Sequence, residues 1–282
     1  MSTSARATFW GAGAVALWAL LALLTELSGN LPPFQLSAIC FTLGAAIGLP
    51  GLWRQRRALR GLGAGVWLLG VYGIFGYHFF YFTALANAPA ASASLIAYLW
   101  PLFIVLFSAL LPGEKLRRGH MIGAIIAFIG AALLLSDGGL ALQAGAWRGF
   151  LAAGVCALIW SSYSVASRAH GRVPSAIIAA YCALSAVLAL ICHLAFETTV
   201  WPTGAGSWAA LALLGLGPVG LAFYIWDIGV KGGNIQLLGV LAYAAPVLST
   251  LVLVAAGLAP ATISLLIAAA LIALGALVAA RG

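Results

Sequence analysis

The sequence predicts an all-α integral membrane protein with ten transmembrane helices. Of its 282 residues, 64% are hydrophobic and 6% are charged, and the mean hydropathy is +1.13. An ordinary soluble domain is about 25% charged and roughly 45–50% apolar, so the composition excludes a soluble globular protein. It also excludes a disordered chain, because disorder requires low hydrophobicity. A membrane helix takes about 20 apolar residues, so ten helices leave short loops and no separate extramembrane domain.

Apolar runs separated by turn residues give the spans in chain order. Most prolines, Pro50 among them, stand at or between these runs, where a missing backbone N–H does no harm. The first run is interpreted as a retained helix and not a signal peptide, because further apolar spans follow it closely. The predicted spans cover residues 8–25, 34–53, 62–86, 91–111, 119–136, 148–169, 174–196, 207–230, 235–257 and 260–280.

The distribution of charge predicts the orientation. Cytoplasmic loops carry an excess of Lys and Arg. With the N-terminus inside, twelve of the thirteen basic residues fall on the cytoplasmic side, and Arg148 is the exception. Glu26, Asp137 and Glu197 then lie on the outer side. Both termini are therefore predicted to be cytoplasmic. The basic residues are scattered over short loops, which favours contact with anionic lipid headgroups and gives no support for a nucleic-acid partner.

An internal repeat is visible at an offset of 145 residues. Ala97-Tyr98-Leu99-Trp100-Pro101 falls on Ala242-Tyr243-Ala244-Ala245-Pro246, in the middle of spans 4 and 9. Five spans per half is an odd number, so the halves would cross the membrane in opposite directions. The sequence thus predicts a 5+5 inverted-topology repeat, with residues 1–140 as the first unit and 141–282 as the second. Inverted repeats are typical of secondary transporters, whose substrate site lies near the membrane midplane between the repeats.

Pro101 and Pro246 occupy equivalent positions in this repeat. A proline that interrupts corresponding helices in both halves points to the binding site of a transporter, and we predict that both act as hinges. The alternative is that they are kinks of the kind membrane helices often tolerate.

These features resemble the drug/metabolite transporter superfamily, EamA type. The motifs are the ten spans, the repeat, Ala16-Leu17-Trp18 beside Ala157-Leu158-Ile159-Trp160 in the first span of each half, and the Tyr-x-x-Pro sequences of spans 4 and 9. The run from Tyr98 to Pro101 is similar to aromatic amino acid exporters of the YddG type. The resemblance implies export of small metabolites through the bacterial inner membrane by alternating access, with no catalytic residue, metal or cofactor. It also implies a central cavity, to which the following positions match: Trp18, Tyr77, His78, Tyr81, Tyr98, Trp100, Trp160, Tyr163 and Tyr243, with the prolines Pro101 and Pro246.

Span 3 carries polar handles within an aromatic segment. Tyr77 and Tyr81 are four residues apart and share one helical face, and His78 lies on the adjacent face. Such a surface suits a flat apolar ligand with a few hydrogen-bonding groups. The alternative is that these rings face lipid near the outer interface.

Three tryptophans, Trp18, Trp100 and Trp160, stand near the middle of their spans. A tryptophan that faces lipid normally lies at the interface, where its N–H reaches water or headgroups. We therefore expect these three to line an internal site for an aromatic amino acid. The alternative is that the indoles pack between helices.

Ionisable residues within the spans are scarce. Asp227 precedes Lys231 by four residues, which predicts an ion pair on one helix face. His78 is the deep titratable group, either as a hydrogen-bond partner or as a proton relay. The absence of a mid-span carboxylate favours a carrier for aromatic and other neutral amino acids over a proton-coupled exporter of drug-like cations.

Other classes of membrane protein fit the sequence less well. A cluster of Ser161, Ser162 and Ser164 leaves an intramembrane enzyme as an alternative, although no paired acid accompanies it. A channel lacks support, because no filter-like motif appears. Glycines spaced like Gly44 and Gly48 favour close packing within one chain, so a monomer in the lipid bilayer is expected.

Overall fold

The computed structural model describes residues 2–136 and 145–281, and these residues contain ten helical spans long and apolar enough to cross a membrane, as predicted. No strand occurs among them. The predicted boundary between residues 140 and 141, and Asp137, lie outside the described residues. In order, spans 1 to 10 are Thr3–Ser28, Pro33–Arg54, Ala64–Asn87, Ala90–Ser108, Arg118–Ser136, Trp147–Ala169, Ser175–Phe196, Ala205–Gly232, Ile235–Ala255 and Ile263–Arg281.

Five of the spans consist of more than one regular α-helix. Spans 3 and 8 each contain a π-helical segment, span 7 begins with a short 3₁₀ turn at Ser175–Ile177, and Arg56–Leu59 forms a short helix between spans 2 and 3. The α-helices of the interrupted spans are Thr3–Trp18 and Leu21–Ser28 in span 1, Ala64–Val71 and Tyr77–Asn87 in span 3, Ala90–Ala97 and Trp100–Ser108 in span 4, Ala205–Leu214 and Ala222–Gly232 in span 8, and Ile235–Ala242 and Ala244–Ala255 in span 9.

Spans 4 and 9 are interrupted where the paired prolines predict. Pro101 is the second residue of the helix Trp100–Ser108, and Pro246 lies in the first turn of Ala244–Ala255. A proline is tolerated there because the first N–H groups of a helix have no partner within it. The interruption is therefore confirmed, whereas the hinge role stays a prediction.

Pro50 corrects one prediction, because it lies inside a helix and not at a boundary. The helix Pro33–Arg54 continues past it for four residues. Membrane helices accept such a proline when neighbouring groups satisfy the freed carbonyl.

The π-helical segments were not predicted. They are Tyr72–Gly76 in span 3 and Gly215–Leu221 in span 8, and the 145-residue offset places the first inside the second. A π-helical turn is wider than an α-turn and is frequent at functional sites. Residues that face the central cavity described below directly follow the first segment, and they lie within and after the second.

Small residues bring several spans into close contact. A methyl group at Gly123 would collide with the carbonyl oxygen of Gly275, so spans 5 and 10 approach backbone to backbone. Between spans 2 and 8, the Tyr224 hydroxyl donates to the Gly44 carbonyl at 2.9 Å. The predicted glycine pattern therefore serves contacts within the chain.

Polar groups gather at both ends of the bundle. At the end that carries most Lys and Arg, called here the basic end, Lys231 and Asp227 form the predicted ion pair at 2.7 Å. Asp227 is buried and Lys231 is largely so. Ser167 donates to Asp227 at 2.6 Å, and Lys231 donates to the Val173 carbonyl at 2.9 Å. At the opposite end, Glu197 accepts the backbone N–H groups of residues 34 and 35, at the start of span 2.

A candidate substrate cavity

A cavity with two connected lobes lies between the halves of the chain. The wide lobe has a volume of about 500 Å³ and extends to Thr25 and the exposed Glu26 at the opposite end of span 1. The deep lobe has a volume of about 110 Å³ and ends among tryptophans. Both lobes share the lining residues Trp18, Leu21, Tyr77, His78, Tyr98, Val219 and Ala245. The cavity therefore opens away from the basic end.

Three predicted tryptophans meet at the bottom of the deep lobe. The ring centroid of Trp18 lies 6.1 Å from that of Trp100 and 5.9 Å from that of Trp160, in edge-to-face arrangements. Trp100 and Trp160 are 6.4 Å apart. All three line the deep lobe, and edge-to-face contacts of this kind are the favoured geometry of aromatic pairs. The structure thus brings together indoles from spans 1, 4 and 6.

His78 forms one wall within an aromatic surround. Its Nδ1 lies 2.8 Å from the Ile74 carbonyl, one turn earlier in the π-helical segment. A carbonyl oxygen only accepts, so Nδ1 carries the proton in this bond. In a neutral imidazole, Nε2 is then the acceptor. The ring packs against Phe41 at 5.0 Å and Phe223 at 6.1 Å, so His78 is a polar group in an otherwise apolar wall.

Three tyrosines of the first half line the same cavity. Tyr77 and Tyr98 lie in both lobes, and Tyr81 lies in the wide lobe. Tyr77 and Tyr81 are stacked at 5.9 Å with an angle of 5° between their planes, as their four-residue spacing suggests. The three side chains line the route from the tryptophans to the exposed end, and the hydroxyls of Tyr77 and Tyr81 interact with Cys156 and Ser94, respectively.

The structure places Tyr163 and Tyr243 outside this lining. Tyr163 is buried behind Trp160, at 5.5 Å, and its ring packs on Gly73. Tyr243 is fully buried, and its hydroxyl accepts the N–H of Leu102 at 3.1 Å. That N–H belongs to the first turn of the helix Trp100–Ser108, where it lacks a partner within the helix. Tyr243 therefore caps the broken span 4.

Several lining residues were not singled out by the sequence. Phe41 lines the wide lobe and Phe223 the deep lobe. Trp226 joins the tryptophan cluster from behind, at 5.1 Å from Trp18 and 5.8 Å from Trp100, and its N–H donates to Ser164. The repeat could have found two of them, because the 145-residue offset places His78 on Phe223 and Tyr81 on Trp226.

The polar residues that suggested other chemistry have structural partners. Ser161 and Ser162 donate to backbone carbonyls one turn earlier in span 6, and Ser164 accepts the N–H of Trp226. Glu26 is the acidic residue among those lining the cavity. Among the described residues, no three His, Cys, Asp or Glu side chains are grouped as metal ligands.

The fold and cavity define a membrane carrier of the EamA type, and comparison with known families agrees. The chain belongs to the EamA-like transporter family, whose model matches residues 5–136 and 147–281.

Individual relatives narrow this class. The chain is 52% identical to the aromatic amino acid exporter YddG of Ancylobacter novellus, over 97% of this chain and 96% of that protein. It is 28% identical to the exporter of the same name from Salmonella typhimurium, over 88% and 87%. A solved crystal structure with 51% identity superimposes with a TM-score of 0.94 and covers 98% of this chain and 97% of that one.

Proposed function

We propose that the protein exports aromatic and other neutral amino acids from the bacterial cytoplasm by alternating access. One observation carries the proposal: a cavity walled by Trp18, Trp100 and Trp160 that is also lined by His78 and by tyrosines of spans 3 and 4. A flat side chain stacks on the indoles, and the ammonium group of the substrate gains a cation–π contact with them. The names of two relatives support the same substrate class.

The cavity favours a carrier over an enzyme or a drug–proton antiporter. The acidic residue that lines the cavity is Glu26, at the exposed end. Among the residues that the structure describes, the deep part of the cavity therefore has no carboxylate for which a proton and a cationic drug could compete. The serine cluster of span 6 is engaged in helix and Trp226 contacts. We also propose that the carrier acts as a monomer, since small residues are used within the chain.

Counterflow in proteoliposomes tests the function. Vesicles loaded with unlabelled phenylalanine should accumulate labelled phenylalanine, and protein-free vesicles should not. We expect tyrosine and tryptophan to compete better than alanine or glutamate. Stronger competition by a lipophilic cation such as tetraphenylphosphonium than by any amino acid would refute the proposed substrate class.

The orientation is part of the proposal. The two halves form an inverted repeat with both termini in the cytoplasm, so the basic end is cytoplasmic and the cavity faces outward. Reporter fusions at residue 58 and at the C-terminus should be cytoplasmic, and a fusion at residue 203 should be exterior. An exterior C-terminus would contradict both the orientation and the repeat.

A further inference from the structure

A second cavity, of about 470 Å³, lies at the basic end of the bundle. It is separate from the aromatic cavity and shares none of its lining residues. Its walls are mainly polar and come from the segment before span 5, from the turn between spans 8 and 9, and from spans 1, 5, 6, 9 and 10. The groups that matter for binding are Glu114, Lys115, Arg117, Arg168, Asn234 and Gln236.

An ion pair between Glu114 and Arg168 forms part of this wall. Gln236 donates to the second carboxylate oxygen of Glu114 at 3.0 Å. Arg168 also donates to the carbonyls of Val230 and Gly233, at 2.7 and 2.8 Å, and so closes the end of span 8. The side chains of Glu114 and Arg168 are each 20% exposed, so both remain accessible from the cavity.

The polar cavity lies on the same helices as the tryptophan cluster. Trp160 and Arg168 both lie on span 6. They are eight residues apart, which corresponds to about 12 Å of α-helix. Span 8 runs from Trp226 toward Gly233, and span 4 leads from Trp100 to the turn that holds Glu114. Along spans 4, 8 and 9, the buried residues Ile104, Trp226 and Leu238 stand in the chain between residues that line the aromatic cavity and residues that line the polar cavity. All three belong to one apolar core, and they are called here the apolar layer. The two cavities therefore face the two sides of one closed segment.

The polar cavity presents the Glu114 carboxylate together with the cations of Lys115, Arg117 and Arg168, so it holds groups for both charges of an amino acid head group. We propose that this cavity is the cytoplasmic entry site for the zwitterionic head group, which replaces the contact between Glu114 and Arg168. The inference rests on the proposed function. The substrate ammonium takes Glu114, and the carboxylate takes Arg168 with Lys115. Since a zwitterion supplies both charges, neither partner of the broken pair is left uncompensated, whereas an amine or an acid alone leaves one of them unpaired.

The exchange also explains how entry opens the segment between the cavities. Glu114 precedes span 5, Arg168 ends span 6, and Gln236 begins span 9. When the substrate ammonium binds Glu114, the carboxylate no longer contacts Arg168 of span 6 or Gln236 of span 9. The apolar layer is then free to separate, and the aromatic side chain can move toward Trp100 and Trp160.

Transport into vesicles sealed with the basic end outward tests the site. Labelled phenylalanine is the substrate, and phenylethylamine and 3-phenylpropionate are competitors that lack the carboxylate and the ammonium, respectively. For the unmodified protein, each should compete at least about tenfold less well than unlabelled phenylalanine, which corresponds to the loss of one charge-assisted contact.

Glu114→Gln keeps the shape of the side chain and removes its charge. We expect this variant to raise the half-saturation concentration for phenylalanine at the basic face about tenfold, and to remove the advantage of phenylalanine over 3-phenylpropionate. Half-saturation measured from the opposite face should not change. Lys115→Gln tests the carboxylate side without disturbing the Arg168 contacts with span 8. Its matched control is Arg118→Gln, an exposed cation of the same segment that does not line the cavity.

The outcomes separate the two proposals. If the unmodified protein does not transport phenylalanine, the proposed function fails. If it does, but Glu114→Gln preserves the preference over 3-phenylpropionate, the entry site is refuted and the function stands. If Glu114→Gln exchanges phenylalanine faster at both faces with unchanged selectivity, the ion pair only stabilises the closed state. That result also refutes the entry site.

Discussion

The two halves of the chain place the same motif in different roles. Tyr98 and Trp100 of the first half line the cavity, whereas their counterparts at the 145-residue offset are Tyr243 and Ala245. Tyr243 is fully buried and caps span 4, and Ala245 leaves room in the deep lobe. An internal repeat therefore predicts where a helix breaks, but it does not predict which side chain at the break meets the ligand.

The same contrast appears after the two π-helical segments. His78 follows the segment in span 3, and Phe223 occupies the equivalent position in span 8. Both rings line the deep lobe. The first half thus supplies most of the polar groups of the cavity, and the second half supplies apolar walls and structural contacts. Variants of equivalent residues in the two halves should therefore differ in whether they change phenylalanine binding or protein stability.

The largest effect is expected when the missing tryptophan is restored. Ala245→Trp places an indole in the deep lobe of about 110 Å³. We expect saturable phenylalanine uptake to be lost because the added ring occupies the binding space, with overpacking costing about 1–3 kcal/mol of stability. Counterflow and a melting curve on the same preparation measure both. Ala245→Ser is the matched control, and normal uptake by Ala245→Trp would show that the ligand binds elsewhere.

Trp100→Ala should have the next largest effect. Central aromatic residues of a binding site typically cost about 2 kcal/mol or more when truncated, which corresponds to roughly thirtyfold in affinity. We expect the dissociation constant for phenylalanine to rise by about that factor. Trp226→Ala removes an indole of the same cluster that does not line the cavity, so it should lower the melting temperature more than the affinity. Unchanged affinity in Trp100→Ala with a lowered melting temperature would support a packing role.

The paired tyrosines give a direct test of the divided roles. Tyr243→Phe removes the acceptor of the Leu102 N–H and leaves a buried donor unsatisfied, which costs about 1–3 kcal/mol. Tyr98→Phe removes the hydroxyl of a side chain that lines both lobes of the cavity and should change affinity with little change in stability. Thermal unfolding and phenylalanine binding are compared for both variants. The opposite pattern would contradict the assignment.

The sequence predicts the architecture well because the signals are strong and local. Long apolar runs determine the ten spans. A proline removes a helical hydrogen bond, and the equivalent positions of Pro101 and Pro246 in the repeat indicate the breaks in spans 4 and 9. Proline alone is not a sufficient signal, because the helix Pro33–Arg54 continues past Pro50. The ion pair between Asp227 and Lys231 follows from a four-residue spacing. The further partners of this pair do not follow from it, because Ser167 and Val173 come from other segments of the chain.

The composition of the cavity wall is only partly predictable for the same reason. Trp18, Trp100 and Trp160 stand out because mid-span tryptophans are unusual. Phe223 lies two residues and Trp226 five residues beyond a π-helical segment, which rotates the following residues to another side of the helix. A periodicity of 3.6 residues cannot reveal that change. Tyr243 resembles Tyr98 in sequence, and only the packing of span 9 against span 4 distinguishes them.

Replacing the paired prolines should produce moderate effects on transport. If Pro101 and Pro246 act as hinges, Pro101→Ala or Pro246→Ala restores a continuous helix and slows exchange several-fold, while the protein remains folded. The initial rate of counterflow is the measurement. Pro50→Ala is the matched control, because Pro50 lies inside an uninterrupted helix. Full transport by the double variant Pro101→Ala, Pro246→Ala would show that the two prolines are tolerated kinks and not hinges.

The smallest effect concerns a fixed contact between the halves. Glu197 follows span 7 and accepts the N–H groups of residues 34 and 35 at 2.9 and 3.0 Å, while His193 lies 2.9 Å from the same carboxylate. A carboxylate at a helix N-terminus satisfies unpaired donors and complements the helix dipole. Glu197→Gln should therefore lower the free energy of unfolding by about 1 kcal/mol.

This change should leave phenylalanine affinity unaltered, because Glu197 lies outside the residues that line the cavity. Glu26→Gln is the matched control for stability, since Glu26 is exposed. Thermal unfolding at neutral pH and phenylalanine binding are measured on both variants. Slower transport by Glu197→Gln at unchanged stability would mean that spans 2 and 7 move during the cycle. The Glu197 contact would then break and re-form during transport, as proposed for the ion pair between Glu114 and Arg168. The two ends of the bundle would then not differ in this respect.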